Sequence, residues 1–294
     1  MALHRTNWAS ALLELRGKDQ LNTELGRHLF EYLRIQILSR CALTRSPTPD
    51  VVIELSEECR KYGRNDADDL ILISNSLDQL RSERPFHPRD GDSEIVDRDV
   101  MCRCASLAAE LRAWRLAVAP AFSPFSVDNK TPRLAAFGEY KVVYSDDRTA
   151  GLLNQCHRLA ILVDELAITR HLNLQRKGLL ARHDIFSLQN LRLDLIEHVH
   201  AICASVPRLL KSGRIEAAKG LLWPLYVAAQ LNPRTVTLEF TTRQWIVEQL
   251  RTIGFGKGVR QAIFLVDVLV NEQEVTELMT ELMTEDHGNE NEAE

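Results

Sequence analysis

Histidine and cysteine are the residue types best suited to metal or nucleophilic chemistry, and nine histidines and six cysteines occur in the 294 residues. Their spacing argues against each use. His198-Val199-His200, placed on a helix, points its two imidazoles ~200° apart, so they cannot share an ion. Cys102-Arg103-Cys104 has the same defect, and Cys156 and His157 fall on different sides of a helical turn. The cysteines at 41, 59, 102, 104, 156 and 203 are scattered rather than framed in pairs, the pattern of buried thiols in a reducing, intracellular setting. No metal site, cofactor site or catalytic residue is expected.

Other catalytic signatures fare no better. Gly254-Phe255-Gly256-Lys257-Gly258 lacks both the dinucleotide fingerprint and the Lys-Ser/Thr ending of a phosphate loop. It reads as an interhelical turn, with Gly254 as a helix C-cap. No nucleophile elbow, His-Glu-x-x-His or kinase signature occurs. Asp194, Glu197 and His198 are the nearest thing to a cluster of ionisable groups. The acid pairs Asp68-Asp69 and Asp146-Asp147 stand at predicted helix starts, where carboxylates favour the positive end of the helix dipole. Trp223, Tyr226, Trp245, Phe255 and Phe264 recur at helical spacings and are expected in the core rather than on a base-stacking platform.

The elements that would carry these residues are helices. Trp8, Ala11, Leu12 and Leu15, then Leu25, Leu29, Leu33 and Ile37, repeat at helical period. The best strand candidate is Val236 to Phe240, and few or no strands are expected. Breakers divide the chain into nine or ten helices. Gly17 ends the first, and Asn22-Thr23-Glu24 opens the second. Further helices are predicted from about Ile95 to Val118, Thr149 to Arg170, Ile185 to Val206, Arg214 to Gln230, Thr241 to Ile253 and Val259 to Val270. Pro224 should kink or restart its helix. Three prolines between Pro120 and Pro132 mark the best candidate for a subdomain junction.

Charge is unevenly placed. Residues 271–294 hold nine acidic groups and no Lys or Arg, so removing them turns the net −5 into +4. A body that mildly basic lacks the dense positive stripe of a DNA-binding domain. The longest apolar run, Ala262 to Val270, contains Asp267 and is far too short for a membrane span. In the acidic tail, Thr276-Glu277-Leu278-Met279 is followed by Thr280-Glu281-Leu282-Met283. That period sets Val275, Leu278, Met279, Leu282 and Met283 on one helical face and Glu277, Glu281 and Glu285 on another. Leu278, Met279, Leu282 and Met283 are therefore the candidate partner-binding residues, presented as an amphipathic helix to a protein groove.

Three stretches carry a family resemblance. Ala11-Leu12-Leu13-Glu14-Leu15-Arg16-Gly17, with Gln20, Thr23, Gly26, Leu29-Phe30, Arg34 and Gln36, is the first. Gly220-Leu221-Leu222-Trp223-Pro224-Leu225-Tyr226, with Arg243, Trp245-Ile246 and Ile253-Gly254, is the second. Between them lie Tyr140, Tyr144-Ser145-Asp146 and Asn154-Gln155-Cys156-His157-Arg158. In this order they resemble the regulatory region of fungal zinc binuclear cluster transcription regulators. The resemblance implies an irregular all-α regulatory domain over 1–270 followed by the tail 271–294, a nuclear setting and protein partners. It also implies a body that restrains or exposes an activation surface, sometimes in response to a small molecule.

Family members join this region to a six-cysteine zinc motif, whereas no Cys-x-x-Cys occurs in these residues. DNA is therefore expected to be engaged only indirectly. A truncated gene product is one reading of that difference. A small-molecule-sensing helical domain and a cryptic all-helical enzyme are the alternatives, and dimerisation is left open.

Overall fold

The computed structural model describes residues 8–44, 48–63, 66–82, 92–118, 146–180, 182–233, 235, 236, 238 and 240–271. Among the described residues there are ten α-helices and no strand, and the chain is again helical over 260–271. The fold is all-α, as the apolar periodicity implies. Two compact units divide the chain, one formed by Met1–Pro124 with Leu159–Leu195 and the other by Phe125–Arg158 with Ile196–Glu294. The predicted junction at 120–132 lies outside the described residues.

Unit one begins with α1 (Trp8–Arg16), a 3-10 turn (Lys18–Asn22) and α2 (Glu24–Thr44). Gly17, at φ 57°, turns the chain out of α1. Gln20 Nε2 donates to the carbonyls of Gly17 (2.7 Å) and Leu13 (3.4 Å), the latter also accepting the Gly17 amide at 3.0 Å. Thr23 Oγ1 accepts the Gly26 amide at 3.1 Å and so caps α2. Gly26 cannot carry a side chain, because a Cβ there would meet the Gln20 carbonyl oxygen at 1.7 Å. The glycine lets the first turn of α2 sit directly on the 3-10 turn.

Beneath these turns lies a core of Leu13, Leu21, Phe30, Leu33, Ile37, Val52 and Leu55. Each such side chain contributes about 1.5–3 kcal/mol by leaving water. α3 (Asp50–Cys59) supplies Val52 and Leu55, and α4 (Asp66–Ser82) and α5 (Asp92–Val118) follow. Trp114 Nε1 donates to the Asp66 carbonyl at 2.9 Å, fixing α5 against the start of α4. The end of α6 (Asp147–Arg176) and the start of α7 (Arg182–Lys211) complete the unit.

In unit two, Asp146 caps α6 by accepting both the amide and the hydroxyl of Thr149, at 2.8 and 3.1 Å. α7 does not stop at Val206 as predicted but carries Pro207 inside it. Burial of Leu209 beyond the proline outweighs the missing backbone hydrogen bond. α8 (Ile215–Gly220) and α9 (Leu222–Ala229) are separate helices. Pro224 sits in the first turn of α9, where a missing N–H costs nothing. α9 is apolar all round and buried along most of its length.

α10 (Phe240–Arg251) runs into a π-helical turn (Thr252–Gly256). Gly254 is thus inside a helix rather than at its C-cap. A Cβ there would stand 2.7 Å from Ile263 Cγ1, so the glycine serves close packing against the following helix. The reversal falls instead at Gly258, with φ 71°. Among the described residues of the predicted strand, 236 and 238 are not in a strand and Phe240 opens α10, while Thr237 and Glu239 lie outside the described residues.

Candidate functional site

Unit one buries its charges in pairs. Arg34 Nη1 of α2 stands 2.7 Å from Asp68 Oδ1 of α4, each side chain only 4% exposed. The guanidinium also reaches Ser56 Oγ at 3.5 Å and lies 5.0 Å over the Phe30 ring. Asp97 of α5 takes Arg170 Nη1 at 3.2 Å and Lys177 Nζ at 3.3 Å. Asp68, read from sequence as a helix-start carboxylate, is therefore an ion-pair partner as well.

A third acid behaves differently. Burial, reinforced by the charge of Asp194, raises the Asp164 carboxyl to about 8, although Arg112 pulls the other way. Near neutrality the carboxyl holds its proton and is a hydrogen-bond donor. Burial likewise pushes the Cys104 thiol up to about 12, with Asp164 adding to the effect. That thiol is inert as a nucleophile. Asn75 is buried in α4 with neither its amide nitrogen nor its oxygen hydrogen-bonded.

Unit two buries neutral partners instead. Asn154 Nδ2 donates to Ser205 Oγ at 2.8 Å, and that hydroxyl donates to the Ile202 carbonyl at 2.7 Å. His157 and His198 meet through their Nδ1 atoms at 3.0 Å. Such a contact requires one ring to donate and the other to accept, so one proton lies between two nitrogens. His200 is exposed, in keeping with the divergence expected of His198 and His200. Among the described residues no group of three or more His, Cys, Asp or Glu side chains could hold a metal. Asp194 and Glu197 are exposed, whereas His198 faces His157.

Hydrogen bonds and ring contacts, some between residues distant in sequence, place residues of the resembling stretches. Gln155 Nε2 donates to the Gly220 carbonyl at 3.4 Å, and Arg158 Nε to Gln155 Oε1 at 2.9 Å. Trp223 packs edge-on against Tyr226, whose hydroxyl accepts Gln230 Nε2 at 2.7 Å. Arg243 Nη2 reaches the Leu269 carbonyl at 3.4 Å. Five cysteines are buried thiols in no disulfide, and Cys102 is an exception to the sequence reading, exposed on α5.

Among the described residues, a shallow surface groove lies in unit two. A groove of about 400 Å³ runs between the π turn and helix 260–271, with Phe255, Ile263, Val266 and Val270 as its apolar lining. Arg251, Asp267 and Asn271 complete its lining with polar groups. Phe255 is 74% exposed and Phe264 54%. Both were expected in the core. The π turn adds a residue to the helical cycle and rotates Phe255 outward, while Ala262 and Ile263 stand beside Gly254. The predicted partner-binding residues Leu278, Met279, Leu282 and Met283 lie outside the described residues.

No family model, characterised protein or solved structure matches the chain. No described helix is long and apolar enough to cross a membrane.

Proposed function

We propose that this chain is a transcription-regulatory protein, a helical, non-catalytic interaction region of the kind found in fungal zinc-cluster regulators. It would work in the nucleus through protein partners and engage DNA only through them. The observation that carries this reading is the juxtaposition at the end of unit two. A surface groove with Phe255 exposed and Ile263, Val266 and Val270 in its lining reaches Asn271, and the sequence that follows is acidic and patterned with Leu278, Met279, Leu282 and Met283. An amphipathic segment and an apolar groove are the two halves of helix-in-groove recognition. The ordered resemblance over α1–α2, α6 and α8–α10 supplies the regulatory context.

The test is to fuse the full 294-residue chain to a heterologous DNA-binding domain upstream of a reporter. Output is expected to differ several-fold from that of the DNA-binding domain alone, and Leu278→Asp with Leu282→Asp should abolish the difference. Identical outputs from all three fusions would contradict the reading.

A further inference from the structure

We infer that His157 of α6 and His198 of α7 form a binding site for one divalent transition-metal ion, held through their two Nδ1 atoms. The spacing of the rings carries this. Their Nδ1 atoms stand 3.0 Å apart and their ring centres 5.2 Å, with the planes tilted by 46°. Two imidazoles sharing a tetrahedral ion at bonds of ~2.0–2.1 Å have nitrogens ~3.3 Å and ring centres ~5.2 Å apart. The rings therefore already hold the separation an ion requires. Turning each ring in its place aims the two nitrogens at a common point instead of at one another.

The proton between them is easily rehoused. One Nδ1 carries a hydrogen in the contact as it stands, and that hydrogen moves to Nε2 of the same ring. Both rings stay neutral, and each Nδ1 lone pair forms one coordinate bond to the ion. No oxidation state changes.

The setting suits such a site. Both histidines belong to unit two and stand on 30-residue helices, so rigid elements fix their spacing before an ion arrives. Both side chains are half-buried, which leaves water a path to the remaining coordination positions. Arg158, next to His157, turns its guanidinium to Gln155 Oε1 at 2.9 Å. His198 and His200 diverge on α7, and the partner of His198 comes instead from α6, 41 positions earlier. Two ligands are fewer than a closed site uses, so the ion keeps water and exchanges readily. Imidazole nitrogen selects zinc, nickel and copper over magnesium and calcium.

The site is independent of the transcriptional reading. Its test uses the full chain with Cys102→Ser, which removes the exposed thiol as a competing ligand. Zn²⁺ is titrated by calorimetry with Mg²⁺ as the control, and ¹⁵N spectra of histidine-labelled protein follow each ring nitrogen. One Zn²⁺ per chain should bind in the micromolar range and Mg²⁺ not at all, with the Nδ1 signals of His157 and His198 shifting together. His157→Gln and His198→Gln should each weaken Zn²⁺ binding by about tenfold or more. The parental spectra decide the matter even where a variant fails to fold. Binding at millimolar Zn²⁺ only, affinity unchanged in both folded variants, or shifts confined to other histidines would each overturn the inference.

Discussion

Unit one buries Arg34, Asp68 and Asp97, whereas unit two buries Asn154 and Ser205 and leaves Phe255 in water. The first arrangement exchanges hydration of charges for ion pairs, which is seldom a net gain in stability and strongly penalises removal of one partner. The second relies on neutral hydrogen bonds inside. Inward charge is therefore tied to the integrity of the fold.

The largest expected effect comes from breaking a buried pair. Arg34→Leu leaves the Asp68 charge unpaired and should cost about 3–5 kcal/mol in urea unfolding. Adding Asp68→Leu should restore most of that loss, and a double variant no more stable than the single one would refute the ion-pair account.

Asp164 sharpens the comparison through pH. Its folded carboxyl is raised from 3.8 to about 8, so the folded state holds the proton that the unfolded chain releases. Stability from this group is fully present below pH 4 and is lost as pH rises from about 4 to 8. Asp164→Asn mimics the protonated form. Its melting temperature should match the parent near pH 4 and exceed it increasingly up to pH 9, and a constant difference across that range would contradict the assignment.

In unit two, Gly254→Ala should cost about 1–3 kcal/mol, since the added methyl must displace Ile263. A smaller contrast lies in two buried amides. Asn154→Leu removes the partner of Ser205 and should cost about 1–2 kcal/mol. Asn75→Leu removes an amide that bonds to nothing and should be neutral or stabilising by up to about 1 kcal/mol in the same denaturant assay.

Much of the helical framework was legible in the sequence. Gly17, Thr23 and Asp146 act locally, through φ or one capping bond, and local chemistry reads directly from residue type. Pro207 was misread because packing of Leu209 decides whether a proline ends a helix. Asp68, Asp97 and Asp164 lay beyond reach for a related reason: the residues that pair with them or shift their acidity are separated by 30 or more positions, or depend on burial.

The His157–His198 contact was closer to legible. The two residues lie about twenty positions either side of Gly178, so treating α6 and α7 as a hairpin brings them together. The groove itself was hidden by the π turn, which shifts the helical phase at Gly254 and turns Phe255 outward.

The most direct measurement is reporter output per folded molecule for full-chain fusions carrying Phe255→Asp or Arg34→Leu. Phe255→Asp should keep unfolding free energy within about 0.5 kcal/mol of the parent while changing output several-fold, and Arg34→Leu should lower abundance with output per folded molecule unchanged. A Phe255→Asp fusion with parental output would contradict the claim that this exposed edge is where the protein does its work.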